Sequence, residues 1–174
     1  MPKSTRGALR SKTFDELYRA HARGLLGFLC ARLGDADWAE DVLQDVFLAC
    51  LRSPRPIPLE QSKAYLFRIA ERLSLNALRD RAADQRKEVG QAARQADFVP
   101  VSGADPLLAQ AAREALAALP REECDVVALR VFAELTFEEI AALLGAPMTT
   151  VYKRHARGME ALRRALDAGA GGRR

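Results

Sequence analysis

The side chains of this sequence whose types and spacing could do chemistry fall on three helical stretches, and the chemistry they suit is recognition through charge rather than bond making. The sharpest pattern is Glu139-Ile140-Ala141-Ala142-Leu143-Leu144-Gly145, followed by Val151. A helix-turn-helix needs a small residue where its second helix approaches the first, a glycine for the positive-φ turn, and a β-branched plug between the helices. Ala141, Gly145 and Val151 meet those needs at the required intervals, and Ile140, Leu143 and Leu144 supply the remaining packing. An ordinary helical hairpin could share the glycine turn, but here the following stretch is basic, with Lys153, Arg154 and Arg157 near its start. On such a helix Thr149, Thr150, Tyr152 and Lys153 would face a DNA major groove, while Arg154 and Arg157 suit backbone phosphate.

A second stripe, Asp37, Glu40, Asp41, Gln44 and Asp45, lies opposite an apolar face. Like charges at i, i+4 disfavour an isolated helix, so this stripe wants a cationic partner unless it is simply a solvated face. A third stripe places Arg68, Arg72, Asn76 and Arg79 at i, i+4, i+8 and i+11, with Tyr65 and Phe67 nearby. Arginine forks for phosphate, an amide for a base edge and aromatic rings for stacking are what single-strand DNA capture uses. Enzymatic chemistry finds no support. There is no Ser/His/Asp set, glycine-rich phosphate loop or metal-ligand cluster, and the paired carboxylates Glu122-Glu123 stand at a solvated helix start. His21 and His155 are isolated, and Cys30, Cys50 and Cys124 are an odd set without a C-x-x-C, which argues against a zinc site or a disulfide scaffold. No cofactor is expected.

The elements that must position these stripes are helices. The chain has 174 residues, 49% hydrophobic, 29% charged and only 6% aromatic, enough apolar material for real cores and a composition that favours helix over strand. The net charge of +4 is unevenly spread. Residues 31–50 balance at −4, 63–81 at +3, 105–147 at −5 and 148–174 at +5, a pattern expected of a protein that touches both basic protein and nucleic acid. No apolar run approaches the ~20 residues of a membrane span, and the basic stretch Met1–Lys12 has no apolar run behind it, so a soluble cytoplasmic protein without a secretory signal is expected. Residues 1–12 are expected to be disordered. A capping box at Thr13-Phe14-Asp15-Glu16 opens a first amphipathic helix, Asp37 opens a second, and a third runs from about Ser62 to about Ala83 after the proline-rich Ser53–Pro58 loop. Residues 84–104 lose the apolar period and read as a flexible linker between independently mobile halves. Asp105-Pro106 starts a second helical group, residues 105–168, which holds a further capping box at Thr136-Phe137-Glu138-Glu139, and residues 169–174 form a disordered tail. The expected fold is all-α, two small helical domains joined by a linker.

Together these residues resemble an extracytoplasmic-function (ECF) sigma factor of bacterial RNA polymerase. The resemblance runs through Phe14-Asp15-Glu16-Leu17-Tyr18, Ala39 to Phe47 and Tyr65 to Ala70 in the first half, and through Ala117 to Pro120, Leu135 to Ala141 and Thr150 to Arg154 in the second. It implies that residues 13–83 are sigma region two, with Asp41, Gln44 and Asp45 docking on the coiled coil of the polymerase β′ subunit. Arg68, Arg72, Asn76 and Arg79, with the proline loop before them, would open and read the −10 element. Residues 105–168 would be region four, reading the −35 element through Thr149, Thr150, Tyr152, Lys153, Arg154 and Arg157 and contacting the β flap. The resemblance further implies an anti-sigma partner, which could be membrane-bound, and Tyr152 with its basic neighbours is most similar to the iron-transport regulators of the family. The alternative is a helix-turn-helix regulator acting without core polymerase, but that would need a ligand or phosphoacceptor domain, and Met1–Arg81 offers neither.

Overall fold

In the computed structural model, residues 4–52, 59–85 and 106–171 are described, with side chains placed within 14–52, 61–83 and 110–167. The described residues form seven α-helices and no strand: α1 (Ser4–Leu33), α2 (Ala36–Arg52), α3 (Leu59–Gln85), α4 (Pro106–Ala117), α5 (Arg121–Val131), α6 (Phe137–Leu144) and α7 (Met148–Gly171). None is long and apolar enough to cross a membrane.

Helices α1, α2 and α3 pack on one another as the first bundle. The apolar stripe of α2 (Ala39, Val42, Leu43, Val46, Phe47 and Cys50) is buried against α1 residues Leu25, Phe28 and Leu29 and α3 residues Leu66, Phe67 and Ala70. Two boundaries differ from the sequence expectation. Helix α1 begins at Ser4 rather than Thr13, so residues 4–12, expected to be disordered, are helical; Ala, Leu, Arg and Lys propagate a helix well, and no proline interrupts them. Helix α2 is opened by Asp35 rather than Asp37: after Gly34 turns the chain at φ 68°, Asp35 Oδ1 accepts the Trp38 N–H at 2.9 Å. At the other end α7 extends to Gly171, three residues into the expected tail. The Ser53–Pro58 loop, the Asp105 cap and residues 86–104 of the expected linker lie outside the described residues.

The halves share one continuous apolar core. Helix α1 is seated against α5 and α4, and α3 touches α6. Gly24 and Gly27 leave a bare stretch of α1 on which Phe132 rests; a Cβ at Gly24 would stand 2.5 Å from the Phe132 carbonyl oxygen, and one at Gly27 2.6 Å from its Cδ1. Around this contact Arg32 reaches both halves, its Nη2 donating to Glu71 Oε1 at 3.1 Å and its Nη1 standing 2.7 Å from Asp125 Oδ2. The Cys124 thiol donates to the Ala31 carbonyl at 3.4 Å, and Lys63 Nζ to the Glu134 carbonyl at 3.2 Å. The sequence reading expected independently mobile halves; in this structure they are docked on one another. Periodicity within each helix cannot reveal a contact made by two glycines, one ring and one guanidinium across a long separation.

Candidate nucleic-acid interface

The turn between α6 and α7 is built as its residues require. Thr136 caps α6 by accepting the Glu139 N–H at 3.2 Å, while the Glu139 carboxylate accepts the Thr136 N–H at 2.7 Å, a reciprocal box on a helix of only eight residues. Gly145 ends α6 in the left-handed region at φ 61°, a conformation that costs little without a Cβ. The Ala146 N–H then bonds back to the Ala141 carbonyl at 3.1 Å. Helix α7 starts without a side-chain cap from Pro147; the Pro147 carbonyl accepts from Thr150 and Val151. Ile140 and Val151 are fully buried between the two helices, as the sequence pattern demands.

On α7 the structure brings Thr149, Tyr152, Lys153 and Arg157 to the solvent-exposed surface, and leaves Thr150 half-buried. Two of the expected reading residues also do other work. Tyr152 lies against Phe137 with ring centres 4.4 Å apart and planes tilted by 44°; Phe137 also carries the Arg130 guanidinium 5.3 Å from its ring centre and meets His155 edge-on at 5.1 Å. Arg154 is partly buried and donates through Nη2 to Glu122 Oε2 on α5. Burial, reinforced by Arg130, holds His155 below the ordinary histidine value, so its ring adds no charge to this face near neutrality.

The other two stripes are displayed on the first bundle. Asp37, Glu40, Asp41, Gln44 and Asp45 are all exposed on α2, opposite its buried stripe. Arg68, Arg72, Asn76 and Arg79 are all exposed on α3. Tyr65 beside them is 38% exposed, but Phe67 is 2% exposed and packs edge-on against Phe28 at 5.7 Å, so it is a core residue and not a stacking platform. The three cysteines are buried; burial pushes the Cys30 and Cys124 thiols up to about 11, helped by nearby carboxylates, and raises that of Cys50. Sequence reasoning missed Arg32, Asp125 and Glu122. Nothing in local spacing marks a pair separated by 93 residues, and Glu122 was read only as a solvated helix start.

Comparisons with known proteins give the family and the fold. Residues 17–83 match the model for Sigma-70 region 2 and residues 109–162 that for Sigma-70 region 4; this defines a sigma factor, a protein that directs RNA polymerase to promoters. The chain is 34% identical over 158 residues to the RNA polymerase sigma factor CarQ of Myxococcus xanthus, covering 88% of each. It is 30% identical to the ECF RNA polymerase sigma factor SigE of Mycolicibacterium smegmatis, spanning 60% of that longer protein. The chain belongs to the ECF sigma factors. Its fold is that of the sigma factor RpoE of Bartonella quintana, solved in complex with the anti-sigma factor NepR (TM-score 0.76, 22% identity, 90% of this chain and 98% of that one), and of CnrH in complex with the cytosolic domain of CnrY (TM-score 0.62, 23% identity, 91% and 90%).

Proposed function

We propose that residues 13–83 act as region two and residues 105–168 as region four of this sigma factor, working in the cytoplasm without catalysis of their own. The acidic stripe of α2 docks on the basic coiled coil of the polymerase β′ subunit through Asp41, Gln44 and Asp45. Arg68, Arg72, Asn76 and Arg79 of α3 engage the −10 element, and Thr149, Thr150, Tyr152, Lys153, Arg154 and Arg157 engage the −35 element, with the second half resting on the β flap. One observation carries this reading: the two functional stripes of the first bundle are both wholly exposed, one acidic and one basic, on helices whose opposite faces form its core. A protein partner and a nucleic acid can thus be held at once by separate faces. An anti-sigma partner is supported by the complexes in which RpoE and CnrH were solved. Placement near the iron-transport regulators is supported by Tyr152, Lys153 and Arg154 alone.

The test is assembly with core polymerase. Reversing Asp41 and Asp45 to Lys leaves the buried stripe of α2 untouched, so circular dichroism is expected to be unchanged while holoenzyme formation is lost. Wild-type assembly by the double variant would overturn the docking assignment.

A further inference from the structure

We infer that Glu122 is an electrostatic brake on DNA binding, holding Arg154 in an ion pair that a backbone phosphate must break. This rests on the reading of α7 as the −35 helix, in which Arg154 and Arg157 had equivalent roles. The structure makes them unequal. Arg157 is exposed, whereas the Arg154 side chain is 24% exposed and is engaged by a Glu122 carboxylate that is itself 70% exposed. The carboxylate therefore stands in solvent on the flank where a duplex backbone would approach Arg154.

Two features keep it there. Glu122 lies in the first turn of α5, where the helix dipole favours an anion. Helices α5 and α7 are also clamped at close range by Gly158: a Cβ at that position would meet Val127 Cγ2 at 2.7 Å and the Glu123 carbonyl at 3.5 Å. Such packing leaves α5 little room to slide and carry Glu122 away from Arg154. Phosphate and carboxylate thus compete for one guanidinium. When phosphate wins, Glu122 is left unpaired beside the DNA backbone, where like charges repel. The consequence is that Arg157 supplies its full phosphate contact and Arg154 supplies less, which weakens binding to all sequences alike.

The experiment uses the full chain and a mixed-sequence duplex, with affinity read by fluorescence anisotropy across a salt series. Glu122→Gln is expected to bind roughly two- to fivefold more tightly at low salt, the range of an exposed ion pair, with a salt dependence steeper by about one phosphate contact. Arg154→Ala on its own is expected to weaken binding, by less than Arg157→Ala does, and in that background E122Q is expected to give only a fraction of its gain, the part due to relieved repulsion. The inference is overturned if E122Q binds no more tightly than wild type, or if its gain is undiminished in the Arg154→Ala background. Arg157→Ala serves as the separate check on α7: it is expected to weaken binding and flatten the salt dependence whichever residue stands at 122. If it does not, the reading of α7 fails rather than the brake.

Discussion

Arg32 carries its guanidinium into a place where 2% of its side chain meets water, with Glu71 on one side and Asp125 on the other. Removing one partner of a buried pair usually costs about 3–5 kcal/mol, because the remaining charge is stranded. Burial also holds the Asp125 carboxyl above its ordinary value, a push that Arg32 and Arg121 oppose and Glu71 reinforces. The docked state binds the Asp125 proton more readily than the unfolded chain does, so this group's stabilising contribution is fully present below the ordinary carboxylate value of about 3.9 and is lost as pH rises through the raised one. Against an Asp125→Asn reference, the stability advantage of the wild type is expected to shrink from acid toward neutral pH. Parallel denaturant titrations of the two proteins at both pH values check this. In the sequence Arg32 is the one basic residue of the acidic block 31–50, and nothing local distinguishes a buried arginine from a solvated one.

Among the elements, α6 was the most legible. Its capping box, its terminal Gly145 and the plug at Val151 are each encoded within a few residues of where they act. The exposed stripes of α2 and α3 were legible for the same reason, because periodicity sorts buried from exposed faces. Phe67 was misread because aromatic type alone does not say on which side of α3 the ring falls, and the start of α1 because a capping box can also occur inside a longer helix. An eight-residue helix depends heavily on its ends. Thr136→Ala leaves the Glu139 N–H without its side-chain acceptor, and is expected to lower stability by about 1 kcal/mol. Thermal unfolding of the full chain measures the loss, and weaker DNA binding is expected to accompany it, because α6 supports α7.

On the proposed assignment of α3 to the −10 element and α7 to the −35 element, the docked form is too small to reach both. A globule of this length has a radius of gyration of about 16 Å, whereas elements about 25 base pairs apart are separated by roughly 85 Å along a duplex. Reading both therefore requires α5 to leave α1. Cys124 is suited to report this, since its thiol lies against the Ala31 carbonyl across the contact, while Cys30 and Cys50 are buried in the first bundle. With its thiol held up at about 11, Cys124 is expected to resist alkylation in the isolated chain near neutral pH. It is expected to become the first of the three to react when core polymerase and promoter DNA are added, as peptide mapping by mass spectrometry would show. Equal labelling with and without polymerase would mean that the halves do not part. The rest of Phe132 on Gly24 and Gly27 also bears on how such proteins diversify. On the proposed assignment each half carries its own recognition surface, yet neither can be exchanged for a relative's without regard to the other. A hybrid whose first half brings a larger side chain to position 24 or 27, or whose second half lacks an acid at 125, carries its mismatch at the contact between the halves. What it would lose is the seating of α5 on α1, so halves that look interchangeable have to be matched at positions 24, 27, 32 and 125.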